Sequence, residues 1–256
     1  MNTTAVIAWN TFLEAIREKA LYLLAGFAAF LFLISKFLAP LALGEGRRVT
    51  IDLGMMAISI FGLLIIVFVG HALVYRELER GTVAFLFCRP VGRGPFVVGK
   101  FAGLALVVLL AVAGMGAILA LVLLASHYPL GGEIIGALLL TLLELWILAA
   151  TAILFASIAS PILAGLFVVG AWVIGNSVGA ISECASLIAG AGLPTIARAA
   201  LWLLPRLDLY DGASLLVHGH PFESQVWLWA VSYAVLYIIG TLLLARAAFG
   251  RRALVG

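Results

Sequence analysis

The chain has 256 residues, 65% hydrophobic and 11% charged, with a mean hydropathy of +1.23. A soluble domain is nearer half apolar and a quarter charged, so a water-soluble enzyme is excluded, and the apolar content supplies some six crossings with no room for a large aqueous domain. Fifteen Lys and Arg against twelve Asp and Glu leave a net charge of +3, which suits the basic rim of a membrane protein better than a nucleic-acid surface.

The first 19 residues precede any long apolar run. Ala5, Trp9, Phe12, Leu13, Ile16 and Ala20 recur at helical spacing, while Asn10, Glu14, Arg17 and Glu18 face elsewhere. This predicts an amphipathic helix lying in the membrane interface. Glu14 and Glu18 make the lead a poor match to the short basic region of a cleaved signal peptide. A first span is expected over 20–43, with Lys36 snorkelling near its outer end, and a second over 53–75, containing His71.

Residues 76–100 follow as an unusually long polar segment, and a third span is expected over 101–126. Residues 134–182 hold the single charge of Glu144 and are too long for one crossing. Pro161 supplies the break, which predicts spans four and five over 134–157 and 161–182 joined by a tight turn. Residues 184–204 are apolar but interrupted by Gly190, Gly192, Pro194 and Arg198, a composition that fits a broken re-entrant segment. The sixth span is expected over 226–245, opened by Trp227 and Trp229 and closed by Arg246, Arg251 and Arg252.

Lys and Arg number ten at one end of this arrangement and five at the other. The positive-inside rule then puts both termini in the cytoplasm and favours an even number of spans. Cys88 and Cys184 fall on opposite sides, so no disulfide within the chain is expected.

Chemistry-bearing residues are few. The segment from Tyr75 to Lys100 begins with charges and continues through Val83, Phe85, Leu86 and Phe87 to Arg89-Pro90. Such a short apolar helix ringed by arginines fits a docking surface for a protein or a helix held on anionic lipid. Gly94 to Lys100 fits Gly-x-x-x-x-Gly-Lys, but Phe101 stands where a phosphate loop needs Ser or Thr and no strand precedes it, so nucleotide binding by this chain is not expected. Glu144, about ten residues into span four, is a carboxylate at costly depth. It reads either as a substrate or proton contact or as a hydrogen-bonded packing residue. His218 and His220, with His127 on the same side, are too sparse for more than a weak metal site. The pairs Gly99 with Gly103 and Gly175 with Gly179 allow close helix contact. Asn176 and Ser177, beside the second pair, can bond across helices or line a path.

An amphipathic lead, two spans, then Glu-x-Glu-x-Gly-Thr, an apolar stretch, Arg-Pro-Val-x-Arg and Gly-Lys at the mouth of span three resembles the permease subunit of type 2 ATP-binding-cassette (ABC) transporters. Pro205-Arg206-Leu207-Asp208 before the last span adds to the likeness, whose nearest flavour is the permease group of nitrous-oxide-reductase maturation. The resemblance implies an all-α membrane protein of six spans with an elbow helix over 1–19 and a coupling helix between spans two and three. It implies a transporter, in the exporting direction, built from two permease copies, alike or different, and two ATP-binding subunits in the inner membrane. An accessory protein on the outer side also fits. The chain itself would hold no cofactor; ATP and magnesium would belong to the partner ATPase. By position, Glu77, Glu79, Arg80, Gly81 and Thr82 would lie at the docking helix, with Arg89, Pro90 and Arg93 completing the return to the membrane. Two other readings stay open: a proton-coupled secondary transporter using Glu144, which predicts an internal repeat that the single long basic segment argues against, and a subunit that relays ATPase motion without passing substrate.

Overall fold

A computed structural model describes residues 3–15, 21–37, 46–70, 93–129, 131–188, 205–210 and 224–252. Among them the chain is all-helical: α1 (Thr3–Ala15), α2 (Leu21–Phe37), α3 (Gly46–Ile65) running into a π turn (Ile66–Gly70), α4 (Arg93–Ala125), α5 (Glu133–Ile158), α6 (Pro161–Ile188), a 3-10 turn (Leu207–Tyr210) and α7 (Ser224–Arg252). Among the described residues five stretches are long and apolar enough to cross a membrane: Gly46–Gly70, Gly94–Ala125, Glu133–Ile158, Ile162–Gly179 and Trp227–Ala248. The expected first span corresponds to α2, whose 17 residues measure about 25 Å at 1.5 Å each. The rest of that span lies outside the described residues.

The bundle is organised around α4 and α5. The α5 helix packs against α3, α4, α6 and α7, and α4 additionally receives α1 and α2. Leu145, Ile147, Leu148, Ala149 and Ala150 are fully buried, so α5 presents apolar residues on nearly every side, as a helix enclosed by others must. By contrast α6 and α7 carry Ile162, Leu166, Phe167, Leu228, Trp229, Leu236 and Leu243 on outward faces that suit acyl chains.

The helix boundaries depart from the expected ones in four places. The second span opens at Gly46 rather than 53, because Arg47 anchors this end, donating to Glu133 Oε1 at 2.8 Å and to the Pro129 carbonyl at 3.2 Å. The third opens at Arg93 rather than 101. Pro95 sits in the first turn, where its missing N–H costs nothing, and Val97, Gly99 and Lys100 are buried. The expected loop therefore loses its last eight residues to helix. The fifth continues to Ile188, so the start of the expected re-entrant segment is part of α6: no breaker occurs before Gly190. The last extends to Arg252.

The junction of α5 and α6 is just Ala159 and Ser160. The Ala159 N–H closes α5 on the Phe155 carbonyl, the Ser160 carbonyl accepts the first bond of α6 from Ala164 N–H, and proline occupies the first helical position. At the end of α4, His127 adopts φ 60. Its N–H donates to the Leu124 carbonyl while Tyr128 N–H reaches back to the Leu123 carbonyl, the pairing of a Schellman cap.

Both glycine pairs noted in the sequence admit close neighbours within the chain. Gly99 and Gly103 let α1 lie on α4, where a Cβ at Gly103 would be 2.8 Å from the Ala8 carbonyl oxygen. Gly175 and Gly179 let the 205–210 segment lie on α6, where a Cβ at Gly175 would be 2.7 Å from the Pro205 carbonyl oxygen. That segment is fixed to α7 as well: Tyr210 Oη donates to the Ala230 carbonyl at 2.7 Å, and the Arg206 N–H donates to Tyr233 Oη at 3.0 Å. Arg206 and Asp208 pair at 3.0 Å, and the hydrogen bond to Asp208 raises the guanidinium pKa further above its ordinary value. Burial pushes the Tyr210 phenol up.

Candidate functional site

Glu144 sits near the middle of α5 and is 4% exposed. An apolar helix tolerates a carboxylate at that depth when neighbours supply donors, and three do. Trp172 Nε1 donates to Oε1 at 3.0 Å and Asn176 Nδ2 to the same oxygen at 3.2 Å. Ser59 Oγ reaches both oxygens, at 3.3 Å and 3.2 Å, and also accepts from Trp172 Nε1 at 3.3 Å.

Local helical geometry explains how three elements converge here. Trp172 and Asn176 are four residues apart on α6 and so share a face, an arrangement tightened by a bond from Asn176 Nδ2 to the Trp172 carbonyl at 3.1 Å. Ser59 comes from the corresponding level of α3. The close contact of Gly62 with Leu145 brings α3 near enough to α5 for a short hydroxyl to reach. Hydrogen bonds between membrane helices average about 0.6 kcal/mol and reach about 1.7 kcal/mol, so the cluster contributes on the order of 2 kcal/mol to joining α3, α5 and α6.

Of the residues expected to carry function, Glu144 is thus at the centre of a buried polar cluster. Glu77, Glu79, Arg80, Gly81, Thr82, Arg89 and Pro90 lie outside the described residues, as do His71, Cys88, His218 and His220. Arg93 is the first residue of α4. Gly94 to Lys100 form successive turns of that helix, and Lys100, 3% exposed, places Nζ 5.9 Å from the centre of the Phe96 ring. Helical backbone there cannot wrap a phosphate. Of the two roles open to Asn176 in the sequence, the structure shows the bond across helices. Ser59 and Trp172 are hydrogen-bonding neighbours of Glu144 that no sequence pattern singles out. The available signal is Trp172 itself, a tryptophan in mid-span rather than at an interface.

Apolar helices of crossing length around an enclosed carboxylate define a multi-pass α-helical membrane protein. Residues 5–254 match the family described as ABC-2 family transporter protein, and the chain belongs to that family. It is a transmembrane permease of an ABC transporter, and membership implies in general terms an ATP-binding partner and a dimeric assembly. No curated protein matches the chain.

Proposed function

We propose that the chain is the permease of an ATP-driven exporter, working as a pair of permease copies with an ATP-binding subunit docked beneath each. The observation that carries this reading is the family match over nearly the whole chain. On this reading both termini are cytoplasmic in the inner membrane, α2 is the core of a sixth crossing, and α1 is the elbow helix. The segment joining α3 to α4 receives the ATPase through Glu77, Glu79, Arg80, Gly81 and Thr82, with Arg89, Pro90 and Arg93 bringing the chain back to α4. ATP and magnesium belong to the partner.

Two features support it. The exposed side chains of α1 include Val6, Trp9 and Leu13, which suits insertion into an interface while Thr11, 1% exposed, faces α4. Gly94 lies beside the Arg246 guanidinium of α7, so the α4 entrance and the basic end of α7 share one end of the bundle. That clustering of cations is what the cytoplasmic face requires.

The test is affinity purification of the tagged full chain in mild detergent, with mass spectrometry and an ATPase assay. A stoichiometric cassette ATPase with vanadate-sensitive hydrolysis is expected; a chain that purifies alone, where other complexes survive, overturns the reading. Reversing the charges of Glu77 and Glu79 is expected to lower ATPase recovery while leaving membrane insertion intact.

A further inference from the structure

We propose that the Glu144 cluster is a latch that makes α6 follow α3, so that displacement of the segment between α3 and α4 reaches the opposite end of the bundle. The proposal rests on the permease reading above, which makes that segment the one an ATPase moves.

The packing is uneven in a way that gives the latch its task. Helices α3 and α6 both pack on α5, but among the described residues they approach one another chiefly at the π turn, where a Cβ at Gly165 would be 3.3 Å from the Val67 side chain. At mid-depth the link between them is polar: Trp172 Nε1 to Ser59 Oγ, and Ser59, Trp172 and Asn176 gathered on one carboxylate. Apolar surfaces in lipid slide at little cost, because an acyl chain replaces a leucine contact. A carboxyl group and an indole N–H separated inside the hydrocarbon have no water to turn to and must find another partner within the bundle. The polar contact therefore resists sliding more than the apolar ones do, and the two helices move together until it breaks.

The far half of α6 supplies the output. Gly175 and Gly179 seat Leu207 and Asp208 of the 205–210 segment, which Tyr210 and Arg206 fasten to Ala230 and Tyr233 of α7. The physical route runs from the π turn through the Glu144 latch along α6 to this segment. Glu144 acts here as a positioning residue.

The experiment uses the full chain with Cys88→Ser, Cys184→Ser and Leu209→Cys, co-purified with its ATPase and placed in lipid nanodiscs. Leu209 is 44% exposed on the 205–210 segment, and a cysteine there accepts a charged maleimide. Labelling rates are compared without nucleotide and after trapping with ATP and vanadate. With Glu144 intact the rate is expected to change about fivefold or more, the lower end of ordinary coupling between sites. Glu144→Gln is expected to keep that response, since its oxygen still accepts from Trp172 and Asn176 and its amide can donate to the Ser59 hydroxyl. Glu144→Leu is expected to abolish it while the ATPase still co-purifies and hydrolyses ATP.

An undiminished response in Glu144→Leu overturns the proposal, as does equal loss in Glu144→Gln, or no nucleotide response with Glu144 intact. If Glu144→Leu does not fold, Ser59→Ala combined with Asn176→Leu takes its place with the same expectation. Absence of any ATPase from the unaltered chain is a separate outcome: it removes the permease reading first and this proposal with it.

Discussion

Gly103 faces Thr11 with no room for a side chain between them: a Cβ on Gly103 would lie 2.6 Å from the Thr11 side chain and 2.8 Å from the Ala8 carbonyl oxygen. The obstacle includes backbone, which cannot rotate away. Gly103→Leu is therefore expected to lift α1 from α4 at a cost of about 1–3 kcal/mol, as overpacking does. Thermal unfolding in detergent and protease cleavage within α1 are the readouts. A melting point and cleavage pattern equal to the parent would contradict this contact.

Gly240 supplies the contrast on α7, with nothing within 4 Å of the place a methyl group would take. Gly240→Ala is expected to be neutral or to stabilise by up to about 1 kcal/mol, because glycine is entropically costly within a helix. The same melting experiment reads it, and clear destabilisation would mean that another surface covers this face.

The Glu144 cluster predicts an order among variants. Glu144→Ala removes the acceptor shared by Trp172, Asn176 and Ser59, leaving the Trp172 N–H its longer bond to Ser59 Oγ and the Asn176 amide its bond to the Trp172 carbonyl, and is expected to cost about 2 kcal/mol at the per-bond energies of membrane helices. Glu144→Gln preserves an acceptor and is expected to fall within about 1 kcal/mol of the parent. Denaturant titration in mixed micelles ranks them; an Ala variant as stable as the Gln variant would argue that the bonds contribute little.

His127 is a non-glycine residue in the left-handed region at the end of α4. That conformation costs an L-residue about 1–2 kcal/mol, part of which glycine recovers. His127→Gly is expected to raise the melting point slightly, and a fall would show that the imidazole contributes more than the strain removes.

The Arg47 and Glu133 pair joins α3 to α5 at 2.8 Å, with side chains 32% and 41% exposed. At such exposure the pair is worth less than about 1 kcal/mol, and salt should weaken it. A double-mutant cycle of Arg47→Ala with Glu133→Ala at two salt concentrations gives the value directly. A salt-independent coupling well above that bound would place the pair in a drier setting.

The features legible in the sequence follow from chemistry local in the chain. Pro161 marks the α5 to α6 junction because a proline without an N–H starts a helix well and continues one badly. Apolar runs mark the crossing helices for the same local reason. The opening of α4 is harder to read, because Gly94-Pro95 and Lys100 look like rim residues until α1 covers the adjoining face. Glu144 stands out through its cost and Asn176 as an amide within a span, but the donors Ser59 and Trp172 do not. Ser59 and Trp172 are 113 positions apart, and their meeting depends on three helices arriving at one depth in one rotation. No short-range pattern encodes that. The residues expected to dock an ATPase fall mostly in 71–92, outside the described residues, so their roles rest on resemblance.

The π turn at Ile66–Gly70 has a consequence in residue counting. A π turn accommodates one residue more than the α-helical turn it interrupts. Shortening this stretch by one residue would let it relax into regular helix without disturbing Ser59 or anything before it. What lies on either side would stay in register, because the extra residue is confined to the wide turn, whereas the same deletion in a regular helix would swing everything after it by about 100° and step it by about 1.5 Å. The π turn is thus a place where the chain can lose one residue with the membrane core left in register. Chimaeras that graft a different segment between α3 and α4 should be joined inside this turn, where a mismatch of one residue can be absorbed.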